Sequence, residues 1–201
     1  MDSANNSTVQ SSEITALVVM GVSGCGKSSA AQVLSQALGW RLLEGDAYHT
    51  EASILKMRCG VALTDADREV WLQRLVSLLQ QDGQERGAET SCGRRGLVLT
   101  CSALKRKYRE QLRAARPGVG FVFLDLDFAT ALERVRQRPA HFFSPDLVAS
   151  QFATLERPED EPNVLRLDAG LSLEQIAHLS RSWLAAGQVA GEKPMETGAR
   201  P

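Results

Sequence analysis

The sequence has almost no net charge, no metal-type cysteine spacing and no long apolar run, and each absence excludes a class of protein. Among 201 residues, 23 Lys and Arg nearly balance 24 Asp and Glu, so the net charge of -1 gives no reason to expect nucleic acid as a partner. The four cysteines lack C-x-x-C or other zinc spacing, and we interpret them as free thiols. No stretch approaches the roughly 18 continuous apolar residues that indicate a membrane span.

The N-terminal residues do not predict a targeting signal. The first dozen residues are polar and contain no basic residue, so they fit neither a secretory nor a mitochondrial signal, and we expect a cytoplasmic protein. The hydrophobic content of 43% suits one well-buried domain. We place this domain at 14–186, between flexible tails at 1–13 and 187–201.

Short apolar runs alternate with longer amphipathic segments, which predicts an α/β fold with a parallel sheet. The expected strands lie at 16–20, 41–43, 97–101, 121–124 and 164–167. Helices are expected at 27–38, 51–58, from about 65, at about 105–115 and 128–137, from about 144, and at 173–185, with capping residues Gly39, Thr64, Ser144 and Ser172. The polar, Gly-rich segment 82–96 predicts a mobile surface loop. Ligands of such sheets bind at the carboxyl ends of the strands.

A phosphate-binding loop follows the first predicted strand and opens the first helix. Residues 21–28, GVSGCGKS, fit the pattern G-x-x-x-x-G-K-[ST] in the required strand-loop-helix context. The glycines let backbone N–H groups turn inward around phosphate oxygens, and the helix directs its positive end at the same oxygens. Lys27 is placed to reach the β- and γ-phosphates and the Ser28 hydroxyl to bind Mg²⁺. The pattern therefore predicts a nucleoside triphosphate site.

Two carboxylates end the second predicted strand. Asp46 is suited to orient an attacking hydroxyl and take its proton, and Glu44 to hold Mg²⁺ through water. The alternative, that both lie on an exposed loop without a role, stays open. The third strand ends in TCSA at 100–103 rather than in the Asp of motor-type ATPases, which favours a small-molecule kinase over a motor or GTPase.

Basic residues follow the same edge of the predicted sheet, at Lys56 and Arg58, at Arg68, and in the run 105–109. Singly, each is most often part of a solvated helix face, but together they suggest a site for an anionic acceptor such as a carboxylate, which Arg can hold bidentately. His49 follows Asp46 closely and is suited either to bind a substrate hydroxyl or to a structural role.

Three arginines, Arg134, Arg136 and Arg138, lie at one predicted helix end before Pro139. Arginines on a movable segment can close over a triphosphate and exclude water, so we expect a lid at about 136–146. The alternative is a favourable interaction of these charges with the helix C-terminus.

Beyond the phosphate-binding loop, the chain resembles the thermoresistant-type gluconokinases, a branch of P-loop kinases close to shikimate and adenylate kinases. The resemblance runs in order over about residues 15–185 and includes EGDAYH at 44–49, TDADREVWL at 64–72, CSALKRKYR at 101–109, HFF at 141–143 and SQFATLE at 150–156. The second and third strings are far more specific than the phosphate-binding loop. Thr50 and Ser53 depart from the residues usual in the family.

The resemblance implies ATP- and Mg²⁺-dependent phosphorylation of D-gluconate at its 6-hydroxyl, giving 6-phospho-D-gluconate for the pentose phosphate pathway. It also implies a five-stranded P-loop fold in the order 2-3-1-4-5, with a small lid, and a homodimer as in many relatives. The implied catalytic residues are Lys27 and Asp46. The implied ATP-binding residues are Gly21, Val22, Ser23, Gly24, Cys25, Gly26, Lys27, Ser28, Ser29, Arg134 and Arg138. The implied gluconate-binding residues are Asp46, His49, Lys56, Arg68, Lys105, Arg109 and His141, while Ser28 and Glu44 serve Mg²⁺.

Two other functions compete with this one. A kinase for another sugar acid or for shikimate would share the phosphate-binding loop, although the string at 101–109 argues against shikimate. A nucleotide-binding regulatory protein without catalysis would lack Lys27, Ser28 or Asp46, and all three are present.

Overall fold

The structure is a computed structural model, and it describes residues 13–88, 96–137 and 144–189. The strands are β1 (Ala16–Met20), β2 (Arg41–Glu44), β3 (Leu97–Thr100), β4 (Val119–Asp125) and β5 (Val164–Asp168). The helices are α1 (Lys27–Leu38), α2 (Glu51–Arg58), α3 (Asp65–Ala88), α4 (Arg106–Ala115), α5 (Phe128–Arg136), α6 (Leu147–Thr154) and α7 (Leu173–Val189), and a 3₁₀ turn spans Gly45–Tyr48.

All five strands pair in parallel in the order β2-β3-β1-β4-β5, which confirms the expected fold. The central strand β1 is buried along its whole length, and its side chains alternate between two hydrophobic cores. Leu17 and Val19 pack with α1 residues such as Leu34, whereas Val18 and Met20 pack with Trp71 and other α3 residues. Because both faces are covered, this strand reads as a continuous apolar run in the sequence.

Several local predictions are confirmed. Helices α1 and α2 have the expected bounds, and Gly39 ends α1 in the left-handed conformation at φ 65°. Reciprocal capping boxes join Thr64 with Asp67 at α3 and Ser172 with Gln175 at α7. Residues Thr50 and Ser53, which depart from the family pattern, pair with each other, since the Thr50 hydroxyl accepts the Ser53 N–H at 3.1 Å and caps α2.

Three local predictions are wrong. Residues 82–88 continue α3 instead of forming a loop, and Arg116 anchors this end of the helix by donating to the Asp82 carboxylate at 2.7 Å. Ser144 does not cap α6, because the helix begins at Leu147 with Asp146 as its N-cap, and the Ser144 hydroxyl instead accepts the Asp146 N–H at 3.3 Å. Residues 187–189, expected in the flexible C-terminal tail, continue α7. Residues 89–95 of the expected loop, 138–143 of the expected lid, and 1–12 and 190–201 of the expected tails lie outside the described residues.

Two expectations from composition can be compared with the described residues. Cys25, Cys59 and Cys101 are free thiols there. Within the same residues, no helix combines the length and the apolar character that crossing a membrane would require.

Candidate active site

The phosphate-binding loop connects β1 to α1, at the carboxyl edge of the sheet. Gly21, Gly24 and Gly26 take φ values of 140°, 86° and 90°, which L side chains rarely adopt. At Gly24, a Cβ would also lie only 2.8 Å from the Ala131 carbonyl oxygen on α5. The glycines therefore serve both the shape of the loop and its close packing against α5.

The Lys27 ammonium is folded onto this loop. Its Nζ donates to the carbonyl oxygens of Gly21 at 3.1 Å and Val22 at 3.0 Å. These bonds hold the side chain beside the backbone N–H groups that such loops use for phosphate. A triphosphate would offer Lys27 charged oxygen acceptors in place of neutral carbonyls.

Ser28, Glu44 and Thr100 form an oxygen-rich cluster beside the loop. The Ser28 hydroxyl donates to Glu44 Oε2 at 3.1 Å, and the Thr100 hydroxyl donates to the same oxygen at 2.7 Å. Hydroxyl and carboxylate oxygens are ligands that Mg²⁺ prefers. No group of three or more His, Cys, Asp and Glu suited to a metal occurs in the described part of the chain, so a Mg²⁺ here would also take oxygens from phosphates and water.

The turn that carries Asp46 is tightly attached to the sheet and to α3. The Gly45 N–H donates to the Thr100 hydroxyl at 3.0 Å, and the indole Nε1 of Trp71 donates to the Gly45 carbonyl at 2.7 Å. A Cβ at Gly45 would lie 2.0 Å from the Thr100 carbonyl oxygen, so only glycine fits here. The backbone immediately before Asp46 is thus fixed by β3 and by α3.

Two clefts meet at Asp46. The first, here called the P-loop cleft, is lined by Gly24, Gly26, Ser28 and other loop residues. The second, here called the Arg68 cleft, is lined by residues from several elements, among them His49, Arg68, Ser102, Leu104 and Gln151. Ser23, Lys27 and Asp46 line both clefts. A phosphate donor in one cleft would therefore face an acceptor in the other.

His49 is a deeply buried polar group at this junction. Its side chain is 6% exposed, against 45% for Asp46, and its Nε2 lies 4.0 Å from Asp46 Oδ1. The imidazole stacks on Trp71, with ring centroids 4.3 Å apart and an interplanar angle of 13°. Burial lowers the pKa of His49 below 6.5, with Arg68 adding to the shift and Asp46 opposing it. Its Nδ1 is buried and has no hydrogen-bond partner among the described residues.

The predicted cationic residues of α2, α3 and the β3–α4 segment differ in where they point. Arg68 lines the cleft, with its Nη1 3.9 Å from Asp65. Lys105 Nζ instead donates to both Asp65 oxygens at 2.8 and 3.1 Å, and Lys56 Nζ donates to Asp67 at 2.6 Å. The bond from Lys56, together with the bonds from the Thr64 N–H and hydroxyl, lowers the pKa of Asp67 to about 2. Both lysines are thus paired with carboxylates in the first turn of α3.

The structure contradicts the predicted contact of Arg109 with an acceptor. Its side chain is 0% exposed, its Nε donates to both Glu161 oxygens at 3.0 Å, and its Nη1 donates to the Ala103 carbonyl at 2.8 Å. The guanidinium points into the protein between α4 and the segment before β5. It is a buried ion-pair partner and not a lining residue of either cleft.

Arg134 lies on the P-loop side, as predicted. Its Nη1 is 3.4 Å from the Gly24 carbonyl oxygen and 3.2 Å from that of Ala169, so it bridges the phosphate-binding loop and the segment after β5. Arg138 and His141 lie outside the described residues.

Three residues of this site were not predicted from the sequence. Gln151 accepts the backbone N–H of Ser23 at 2.6 Å, Thr100 binds Glu44, and Trp71 supports His49. Gln151 and Trp71 stand inside the strings 150–156 and 64–72, which could have pointed to them. Thr100 ends a buried strand, and nothing local distinguishes its hydroxyl from that of any other strand threonine.

The fold and the two clefts define a P-loop kinase. A family model described as "AAA domain" matches residues 17–161. The chain is 45% identical to a gluconokinase of Gluconobacter oxydans (strain 621H) over 75% of this chain and 80% of that protein, and 38% identical to the thermoresistant gluconokinase of Escherichia coli (strain K12) over 79% and 87%. The chain belongs to the gluconokinase family.

Solved structures agree with this assignment. The crystal structure of a gluconokinase from Sinorhizobium meliloti 1021 is 37% identical, with a TM-score of 0.73 over 87% of this chain and 94% of that one. A shikimate kinase from Aquifex aeolicus is 16% identical with a TM-score of 0.56 over 88% and 99%, and shows a shared fold alone.

Proposed function

We propose that this protein transfers the γ-phosphoryl group of ATP to the 6-hydroxyl of D-gluconate, giving 6-phospho-D-gluconate and ADP. The observation that carries the proposal is the lining that the two clefts share at Ser23, Lys27 and Asp46. A donor and an acceptor bound on either side would meet beside a carboxylate and an ammonium, the groups that phosphoryl transfer to a hydroxyl needs.

On the donor side, Lys27 exchanges the carbonyl oxygens of Gly21 and Val22 for the β- and γ-phosphates. Ser28 would hold Mg²⁺ directly and Glu44 would hold it through water, with Thr100 orienting the Glu44 carboxylate. When bound, the metal neutralises charge on the phosphate oxygens. Arg134 adds positive charge beside the loop.

On the acceptor side, Asp46 orients the 6-hydroxyl and accepts its proton. The hydroxyl oxygen forms a bond to the γ-phosphorus as the bond from that phosphorus to the oxygen of ADP breaks. Neutral His49 hydrogen-bonds a gluconate hydroxyl, which supplies a partner for a ring nitrogen. Arg68 binds the gluconate carboxylate, for which its planar guanidinium is suited.

The other predicted ligands require changes of partner. Lys56 and Lys105 would contact gluconate only after leaving Asp67 and Asp65, so we assign them a secondary part. Contacts from Arg138 and His141 and the homodimer stay predictions from the family resemblance, and the cytoplasmic location stays a prediction from the sequence.

A panel of acceptors tests the function. We expect ADP release in a coupled assay with MgATP and gluconate, and little with shikimate or nucleoside monophosphates. The variants Lys27→Ala and Asp46→Ala should each lower kcat by about 10²-fold or more, because they remove groups at the reacting atoms. Glu51→Gln is the control, since it also removes a charge but lies exposed on α2.

Absence of gluconate-dependent ADP release would overturn the proposal. Turnover with another sugar acid or with shikimate would identify the competing kinase. Nucleotide binding without phosphorylation of any acceptor would favour the alternative of a regulatory protein without catalysis. Near-normal kcat in Asp46→Ala would show that another group takes the proton.

A further inference from the structure

Ala103 has an unusual backbone conformation beside the active site. It lies between β3 and α4 at φ 45°, in the left-handed region that residues with a Cβ seldom adopt. Its side chain is fully buried, so this turn belongs to the packed interior and not to a surface loop. Some contact must hold the turn, because the intrinsic preference of alanine opposes it.

A buried guanidinium supplies that contact. Arg109 Nη1 donates to the Ala103 carbonyl at 2.8 Å, while its Nε binds Glu161 at 3.0 Å. The Arg109 and Glu161 side chains are 0% and 2% exposed. Because the guanidinium is planar and bound on two edges, its position is fixed. The bond from Nη1 therefore sets the direction of the Ala103 carbonyl.

The turn at Ala103 also fixes the position of the wall of the Arg68 cleft. Residues on both sides of it, Ser102 and Leu104, line that cleft. The Ser102 carbonyl accepts the N–H of Gly21 at 3.3 Å, which ties it to the phosphate-binding loop. The Leu104 carbonyl accepts the N–H of Glu156 at 2.8 Å, just after α6. A shift of the turn would therefore move the acceptor wall relative to the phosphate donor.

We propose that Arg109 is a positioning residue, which with Glu161 holds Ala103 in its left-handed turn and so aligns Ser102 with the phosphate-binding loop for transfer. The inference rests on the proposed kinase function, and it gives Arg109 a role other than substrate contact.

The test compares two arginines of the same ion-pair cluster. Arg109→Lys keeps the charge beside Glu161 but cannot bind Glu161 and Ala103 together. Arg113→Lys is the matched control, because Arg113 also binds Glu161, at 2.8 Å, and has no bond to Ala103. We expect Arg109→Lys to lower kcat about tenfold or more while KM for ATP changes less than about threefold, since misplacement affects the transition state more than binding. Arg113→Lys should change kcat less than about twofold.

A second substitution separates positioning from general support of the fold. Glycine adopts φ 45° without strain, so adding Ala103→Gly to Arg109→Lys should recover at least about threefold of the lost kcat. Equal kcat losses in Arg109→Lys and Arg113→Lys, or no recovery with glycine, would overturn the proposal. If Arg109→Lys alone does not fold, the double variant decides, and failure of both to fold would overturn it too.

Hydrogen exchange makes the test independent of the substrate. In Arg109→Lys, the backbone amides of Gly21 and Glu156 should exchange about tenfold faster than in the wild type, because their acceptors lie on the turn, and Arg113→Lys should leave them unchanged. Unchanged exchange in Arg109→Lys would overturn the positioning role. A wild-type protein that does not phosphorylate gluconate would overturn the proposed function alone, since the exchange result stands without it.

Discussion

His49 shows how one residue can combine a packing role with a polar one. Its ring stacks on Trp71, yet it lines the Arg68 cleft 4.0 Å from the Asp46 carboxylate. Burial and the charge of Arg68 oppose protonation, and the nearby carboxylate only partly compensates. The imidazole is therefore neutral near pH 7 and can both donate and accept a hydrogen bond.

The lowered pKa makes folding depend on pH in a defined direction. Between the folded pKa and the ordinary value of 6.5, the unfolded chain binds more protons at this position than the folded chain. The contribution of neutral His49 to the free energy of unfolding is therefore complete above pH 6.5. It is lost as the pH falls through 6.5 toward the pKa of the folded protein. We expect His49→Gln, which cannot titrate, to lose less stability than the wild type between about pH 7.5 and 5.5 in urea unfolding. Equal losses in both proteins would contradict a neutral, buried His49.

Arg68 and Arg109 mark what the sequence can predict at this scale. Both are arginines in helices that follow the carboxyl edge of the sheet, and both belong to strings typical of the family. Arg68 does line the cleft, but Arg109 pairs with Glu161, which is 52 residues away along the chain. No local pattern carries such a distant pairing, so the number of basic residues near the site was predictable and their orientation was not.

At the scale of elements, α6 makes direct contact with the phosphate-binding loop. Gln151 accepts the Ser23 N–H, a group of the kind that such loops offer to phosphate oxygens. The same side chain lines the Arg68 cleft. Arrival of a triphosphate at Ser23 would therefore displace Gln151 and change the acceptor side as well.

A carboxylate in place of the Gln151 amide should compete with the triphosphate for this N–H. We expect Gln151→Glu to raise the Kd for an ATP analogue about tenfold, with the effect shrinking at high salt because charge repulsion is screened. Ala153→Glu is the control, since it adds the same charge to an exposed position of α6. Equal effects of both substitutions in titration calorimetry would mean that only net charge matters and that the Gln151 contact has no part.

Elements with strong local signals were predicted well. The bounds of β1, α1 and α2 follow from a buried apolar run, a glycine cap and turn residues on either side. The end of α3 was missed because a Gly-containing polar stretch reads as a loop. Its helical state coincides with the long-range pair of Arg116 and Asp82, which only the fold creates.

For the whole molecule, the strand order decides why the two clefts meet. Strand β3 lies between β1 and β2, so the phosphate-binding loop after β1 and the Glu44–Asp46 turn after β2 flank the end of β3. Thr100 at the end of β3 bridges to the turn, and the Ser102 carbonyl bridges to the loop. The sequence indicated a parallel sheet, but the order came only from the family resemblance, since local patterns do not encode which strands are neighbours.

Two ligand sites that share Ser23, Lys27 and Asp46 but differ in their other residues should be separable in one thermal-unfolding experiment. Each ligand at about 100 times its Kd stabilises the fold by about 2.7 kcal/mol, which raises the Tm of a chain of this size by roughly 5–10 °C. We expect this rise with MgATP and with gluconate, but not with shikimate. Lys27 lines both clefts, but we assign its ammonium to the phosphates, so Lys27→Ala should abolish the MgATP shift and keep the gluconate shift. Arg68→Ala should do the reverse. Loss of both shifts in either variant would mean that the two clefts act as one site. Neither ligand could then bind when the residues that hold the other ligand are disrupted.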